Sequence, residues 1–187
     1  MTNLKGKKIA ILATDGFEQS ELLEPKKALE EAGAEVKIVS LKSGEIKGWK
    51  DKNWADTVKV DLTLEETDVN EFDALHLPGG VINPDLLRTN EEAVNFVKEF
   101  VLANKPVSAI CHAPWILITA GVVKGKTITS WQSVKTDLVN AGANWVDQEV
   151  VVDDLLVTSR KPADLPEFNQ AIIKVFSSSR SMAEKGS

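Results

Sequence analysis

Apolar runs typical of buried strands alternate along this chain with segments in which apolar residues recur at helical spacing. Residues 9–13 form a short continuous apolar run, as in a strand of a parallel sheet. Residues 20–32 carry apolar side chains at helical spacing, and Gly33 is expected to end that helix. Because Pro25 lies inside this segment, we expect it to kink the helix or to end a first short turn.

The same alternation continues almost to the end of the chain. Mixed polarity over residues 42–61 indicates a hairpin or a surface excursion. Strands are predicted over 35–41, 72–77, 105–110, 127–129, 150–152 and 155–158, and helices over 91–103, 113–120, 133–141 and 166–176. Repeated strand–helix units predict an α/β fold with a mostly parallel sheet and helices on both faces. We expect one domain over residues 1–176 and a flexible tail over 177–187.

Composition narrows the function classes. The 187 residues are 43% hydrophobic and 27% charged, with a net charge of −6, so an ordered domain is expected and binding of nucleic acid by charge is disfavoured. The short apolar run near the N-terminus is no signal peptide or membrane span, so we expect a cytoplasmic protein. A single cysteine and two histidines cannot build the usual zinc cage, and no metal or other cofactor is expected.

Three segments are predicted to meet at the carboxyl edge of the sheet, where α/β proteins bind ligands. They are residues 15–18, residues 78–80 and the segment that begins at Cys111. Cys111 directly follows a strand and precedes a helix whose first turn holds Pro114, so backbone N–H groups and the helix dipole are expected to favour its thiolate. The alternative is a small buried apolar cysteine.

Gly79, Gly80 and Glu18 can each be interpreted as functional or as purely structural residues. Gly79 and Gly80 let the backbone approach a ligand, and their N–H groups, with that of His112, could form an oxyanion hole; the alternative is a plain turn. Glu18 could hydrogen-bond the thiol and act as an acid or base, or be a solvated carboxylate at a helix start. We interpret His76, in the middle of a strand, as a structural residue with satisfied hydrogen bonds.

Taken together and in order, several segments resemble the ThiJ/PfpI superfamily, in its PfpI-like branch. The matching segments are ATDGFEQSEL (13–22), FDALHLPGG (72–80), KPVSAICHAPWIL (105–117), TSW (129–131), NAGANWVDQEVVVD (140–153) and TSRKPADLPEF (158–168). The resemblance implies a flavodoxin-like three-layer sandwich, also described as class I glutamine amidotransferase-like. It implies that Cys111 is the nucleophile, that Glu18 hydrogen-bonds its sulfur, and that backbone groups of Gly79, Gly80 and His112 form the oxyanion site.

The resemblance also implies self-association. PfpI-like proteins complete a Cys-His-acid triad with a carboxylate of a neighbouring subunit, and Asp85 occupies the corresponding position. The segment around Asp85 is one residue longer than in the family, and the usual CHGP reads CHAP here, which places Ala113 beside the pocket. We therefore expect a homo-oligomer, a dimer or a hexamer.

The activities of this family leave several hypotheses open. The first is a cysteine hydrolase of stress protection that acts on small carbonyl compounds or on glycated proteins and peptides, as a deglycase or glyoxalase for methylglyoxal adducts or as an intracellular peptidase. The second is a redox sensor or chaperone whose Cys111 is oxidised, and the third is a scaffold with a vestigial site. A glutamine amidotransferase is disfavoured, because no histidine follows His112 to serve as its distal base.

Overall fold

A seven-stranded sheet forms the centre of the molecule in the computed structural model, which describes residues 3–179. The strands are β1 (Lys8–Leu12), β2 (Phe17–Glu18), β3 (Glu35–Ser40), β4 (Glu45–Lys50), β5 (Asn53–Lys59), β6 (Leu62–Thr63), β7 (Ala74–Leu77), β8 (Val107–Ile110), β9 (Thr127–Ile128), β10 (Asn144–Trp145), β11 (Val150–Asp153) and β12 (Leu156–Ser159). The helices are α1 (Gln19–Glu31), α2 (Ile82–Leu87), α3 (Glu91–Leu102), α4 (Pro114–Thr119), α5 (Lys135–Asn140) and α6 (Leu165–Ser178).

The central sheet is parallel except at one edge, and helices cover both of its faces. Its strand order is β11-β12-β8-β7-β1-β3-β6, and only β11 and β12 pair antiparallel. Alternation along β1 sends Ile9 and Ile11 into the apolar cluster beneath α1 and α6, while Ala10 and Leu12 join the cluster beneath α3, α4 and α5. The predicted α/β architecture is therefore confirmed.

Smaller pieces of sheet lie outside this core. The strands β4 and β5 form the antiparallel hairpin expected over residues 42–61, and β2 pairs with β4 beside it. The predicted strand over residues 127–129 exists as β9, but it pairs with β10 in a separate two-stranded sheet.

The helices differ from the prediction at three points. Of the two expected effects of Pro25, the end of a first short turn does not occur, because α1 is continuous from residue 19 to residue 31. The segment that contains Asp85, to which the sequence analysis assigned no element, forms α2. The last helix extends to Ser178, and residues 180–187 of the expected tail lie outside the described part of the chain.

Within residues 3–179, no helix is long and apolar enough to cross a membrane.

Neighbouring strands β8, β7 and β1 bring the three segments of the candidate site to one edge of the sheet, and Asn83 joins two of these segments. The fully buried Asn83 side chain accepts a hydrogen bond from the Thr14 N–H at 2.8 Å. Its amide group donates to the carbonyl oxygens of Pro78, at 2.9 Å, and Gly79, at 3.1 Å. This one side chain thus satisfies three backbone groups of the loops after β1 and β7.

We expect Asn83→Ala to lower the free energy of unfolding by about 2–4 kcal/mol, because these buried backbone groups lose the side chain that hydrogen-bonds to them and are left unsatisfied. The control is Asn90→Ala, which removes the N-cap of α3 far from the site and should cost about 1 kcal/mol. Urea unfolding of both variants measures the difference, and equal losses would contradict a special role for Asn83.

Candidate active site

Cys111 lies on a strained turn between β8 and α4. Its φ angle is +64°, in the left-handed region that non-glycine residues occupy at a cost of about 1–3 kcal/mol. The turn is fixed from both sides, because the Cys111 N–H donates to the Ser159 carbonyl at 3.1 Å and the Cys111 carbonyl accepts from the Trp131 N–H at 2.9 Å. Surrounding structure therefore holds the strained conformation of the turn.

The turn borders a cavity of about 420 Å³ at the carboxyl edge of the sheet. Carboxyl, imidazole, thiol and aromatic groups share its wall, and its lining residues are Gly16, Glu18, Glu21, Trp49, Gly80, Val81, Ile82, Cys111, His112, Trp131 and Pro162. No lysine or arginine is among them. The cavity thus combines a nucleophile with titratable groups in a space large enough for a small molecule or a side chain.

The His112 side chain turns back to the sulfur, a point that the sequence left open. Its Nδ1 atom lies 3.1 Å from Sγ of Cys111, and its Nε2 atom lies 3.3 Å from Oγ of Ser133. The ring meets Trp115 edge to face and stacks on Trp131, with centroid distances of 4.9 and 6.0 Å. Burial lowers the pKa of His112, which favours a neutral imidazole that can accept a proton.

The carboxyl group beside the sulfur belongs to Glu21, whereas the sequence analysis expected Glu18. Glu21 lies in the first turn of α1 and is fully buried. Its Oε2 atom accepts a hydrogen bond from the Gly79 N–H at 2.9 Å, and its carboxyl also interacts with the Cys111 thiol. The two glutamates differ because Glu18 precedes the helix and is only partly buried, whereas Glu21 lies one helical turn further along, on the buried face of α1.

Only glycine fits at position 79. A Cβ atom there would lie 2.4 Å from Oε2 of Glu21 and 2.7 Å from both Cβ of Cys111 and the Ile110 carbonyl oxygen. Gly80 has a φ angle of +81°, and a Cβ atom would lie 2.5 Å from the Gly16 carbonyl oxygen. The glycine pair therefore lets three loops meet around the sulfur.

The backbone amides divide their roles differently from the expected oxyanion site. The Gly79 N–H is already hydrogen-bonded to Glu21, so it is not free to receive an oxyanion. The N–H groups of Gly80 and His112 instead interact with the Cys111 sulfur, where they favour its thiolate form. Of the three amides proposed from the sequence, two thus face the reactive atom.

The electrostatics also correct the expectation of an easily ionised thiol. Burial raises the pKa of Cys111, the Glu21 charge raises it further, and the Gly80 and His112 amides act in the opposite direction. The helix dipole adds little, since α4 has only six residues. Burial likewise raises the pKa of Glu21 to about 8, with a second contribution from the Glu18 charge. At neutral pH Glu21 is therefore mainly protonated, and its repulsion of a thiolate is largely absent.

Glu18 and Asp85 are the other acidic residues that were predicted for the site. Burial, and then the charge of Asp51, raises the pKa of Glu18. Asp85 lies on α2 with its side chain 55% exposed and forms an ion pair with Arg88 at 3.1 Å. It is not among the residues that line the cavity, so its predicted role in trans stays a prediction.

His76 has the satisfied hydrogen bonds that the sequence analysis expected. The fully buried ring hydrogen-bonds to the Glu21 carbonyl oxygen through Nε2 and to Ser108 through Nδ1.

Among residues 3–179, no three acidic, histidine or cysteine side chains are grouped so that they could hold a metal ion.

The sequence of α1 contains a signal that points to Glu21. The buried face of α1 consists of Glu21, Leu22, Pro25 and Leu29, which follow one another at separations of one, three and four residues. A glutamate on an apolar helix face is unusual, because an ionised carboxylate is costly to bury. A buried Glu at such a position therefore indicates a specialised site.

Comparisons with known proteins agree on one family. The DJ-1/PfpI family model matches residues 7–175. The chain is 48% identical to "Putative cysteine protease YraA" of Bacillus subtilis over 88% of its length and 95% of the relative's. It is 46% identical to Deglycase TK1284 of Thermococcus kodakarensis, over 90% and 98% of the two chains. It is also 46% identical to General stress protein 18 of Bacillus subtilis, over 88% of the present chain and 95% of the relative.

A solved structure agrees with the sequence matches. A two-domain protein of Anabaena variabilis, with DJ-1/ThiJ/PfpI-like and ferritin-like domains, superposes with a TM-score of 0.85 at 38% identity. The match covers 90% of the present chain and 47% of that protein. Fold, sequence and the matched range thus lead to one assignment: the chain belongs to the DJ-1/PfpI family.

Proposed function

We propose that this protein is a cysteine-dependent hydrolase that acts as a deglycase on methylglyoxal-derived adducts in stress protection. The observation that carries the proposal is the contact of 3.1 Å between the Cys111 sulfur and His112 Nδ1, at the wall of the cavity and beside a buried acid. A thiol, a neutral base and converging amides are the groups that addition to a carbonyl requires.

The first chemical step follows from these positions. As the sulfur of Cys111 bonds to the carbonyl carbon, its proton moves to Nδ1 of His112, and the C=O π electrons become an oxyanion. The N–H groups of Gly80 and His112, which favour negative charge on the sulfur in the free protein, would stabilise charge at the reacting centre. Proton transfer coupled to bond formation avoids a free thiolate, which burial disfavours.

Glu21 supplies a neutral acid next to the sulfur. With a pKa of about 8, its carboxyl keeps its proton at neutral pH and can donate a hydrogen bond to sulfur or to a reacting oxygen. Glu18, in the cavity wall, is better placed to contact bound substrate than to serve the thiol.

The same addition step would serve a deglycase or a peptidase. The deglycase name of one relative and the protease name of another each fit this chemistry. We favour adducts of small carbonyl compounds because the cavity of about 420 Å³ suits a small group. A lone thiol is ordinary in a reducing compartment, so we propose that the protein works in the cytoplasm.

We further propose that a neighbouring subunit completes the site with Asp85. Within residues 3–179 of a single chain, the only hydrogen-bond partner of His112 Nε2 is Ser133, at a long 3.3 Å. A carboxylate from a second copy would orient the ring and stabilise the imidazolium that forms when it takes the proton. The exposure of Asp85 leaves it accessible to such a neighbour.

Replacing Cys111 by Ser is expected to lower turnover of methylglyoxal adducts by about a thousandfold or more, because the nucleophile is lost. The measurement is release of free amine or thiol from adducts of N-acetylated arginine, lysine and cysteine, with free methylglyoxal and a peptide as alternative substrates. Circular dichroism checks that the variant is folded. Unchanged turnover in the folded variant would refute the enzymatic proposal, and cleavage of the peptide alone would favour a peptidase.

Infrared spectroscopy at pH 7 should detect a protonated buried carboxyl, because the pKa of Glu21 is raised to about 8. Its C=O band should disappear as the pH rises through that value and should be missing from Glu21→Gln. The matched control is Glu18→Gln, which should keep the band. We expect Glu21→Gln to lower kcat/KM by about a hundredfold. A band that survives in Glu21→Gln and vanishes in Glu18→Gln would reverse the assignment.

Mixing two inactive variants tests the Asp85 proposal. Cys111→Ala and Asp85→Asn should each be inactive alone, while a mixed dimer should recover one intact site, built from Cys111 of one subunit and Asp85 of the other. Sedimentation should show an oligomer at micromolar concentration. A monomer, or no recovery after verified subunit exchange, would refute the role of Asp85 in trans.

A further inference from the structure

A proline inside α1 leaves one backbone carbonyl without its helical partner. In a regular helix the carbonyl of Glu21 would accept from the N–H of residue 25, four positions later. That residue is Pro25, which has no N–H and whose ring pushes against the same carbonyl. The helix nevertheless continues to residue 31, so the carbonyl of Glu21 is free to bond elsewhere.

His76 on β7 takes the place of the missing donor. Its Nε2 atom lies 2.8 Å from the Glu21 carbonyl oxygen, and its Nδ1 atom lies 2.9 Å from Oγ of Ser108. Since a carbonyl only accepts, Nε2 carries the hydrogen and the Ser108 hydroxyl donates to Nδ1. Burial lowers the pKa of His76 to about 4, so the ring is neutral near neutral pH and can hold both hydrogen bonds at once.

Glu21 is thus held at both ends by one short segment of chain. His76 fixes its backbone carbonyl, and the Gly79 N–H, three residues further along, fixes its carboxyl. We propose that His76 is a positioning residue, which replaces the helix hydrogen bond removed by Pro25 and so keeps the Glu21 carboxyl dry against the Cys111 sulfur. This role goes beyond the satisfied structural histidine expected from the sequence.

The proposal predicts a measurable property of Glu21. Burial is the largest cause of its raised pKa, so loosening the first turn of α1 would admit water and bring the pKa closer to the ordinary value of a carboxyl. The contribution of this His76 hydrogen bond to catalysis rests on the proposed function. The pKa of Glu21, however, can be measured by infrared titration in the absence of any substrate.

Two amide substitutions at residue 76 form a matched pair. The side-chain nitrogen of glutamine can reach the position of Nε2, whereas that of asparagine reaches only as far as Nδ1. In His76→Asn we expect the Glu21 carboxyl band to titrate roughly one pH unit or more below the wild-type value, and in His76→Gln we expect it to remain near that value. An equal shift in both variants would refute the positioning role.

Restoring the helix hydrogen bond gives a second test. Pro25→Ala returns an N–H that can bond to the Glu21 carbonyl. As a single substitution in the otherwise unchanged protein, it should leave the titration of Glu21 nearly unchanged. Added to His76→Asn, it should bring the pKa of Glu21 back toward the wild-type value. A double variant with the same shift as His76→Asn alone would overturn the proposal.

Measurements of unfolding and of turnover distinguish the positioning role of His76 from a purely structural role and from the proposed function. Urea unfolding identifies a variant that is merely less stable, since a purely structural histidine would lower the free energy of unfolding without moving the Glu21 titration. If wild-type protein turns over no adduct, yet the titration follows the pattern described, the proposed function fails and the role of His76 stands. If adducts are turned over but the titration is the same in every variant, the role of His76 fails alone.

Discussion

The absence of a side chain at residue 79 is the constraint on which the site depends. At this point the end of β7, the first turn of α1 and the Cys111 turn approach so closely that a methyl group would overlap a carboxyl oxygen, a Cβ atom and a carbonyl oxygen. The same close approach aligns the Gly79 N–H with Glu21 at 2.9 Å. Gly79 thus contributes both the space left by its missing side chain and the N–H that binds the Glu21 carboxyl. The position of this carboxyl beside the Cys111 sulfur requires both.

This close approach also determines the charge of the site. A carboxyl without a cationic partner in a water-excluding position holds its proton, and a buried thiol does the same. Cys111, Glu21 and His112 are therefore close to neutral in the free protein, with His112 as a base that can accept a proton. In such surroundings charge is created during the reaction and is stabilised by groups that are already in place, which is the arrangement expected to favour a transition state over the ground state.

The sequence predicted the fold well because buried strands and amphipathic helices follow periods that the core imposes. It also placed Cys111, His112 and Gly80 together, since residues after parallel strands meet at one edge. It selected Glu18 in place of Glu21 because strand-end reasoning considers loops, whereas Glu21 projects from within a helix. Contacts made by Asn83 and His76 could not be predicted, because they join residues 69 and 55 positions apart along the chain.

The distribution of unfavourable features argues against a vestigial site. A cysteine at a φ angle of +64°, a fully buried glutamate and a helix with an internal proline all meet within one region. Each lowers stability when taken alone, by strain, desolvation or a lost hydrogen bond. Such features persist where surrounding structure holds them and where they serve function. Here His76, Gly79 and Ser159 supply the hydrogen bonds that hold them, so the strain and its support form one connected structure around the sulfur.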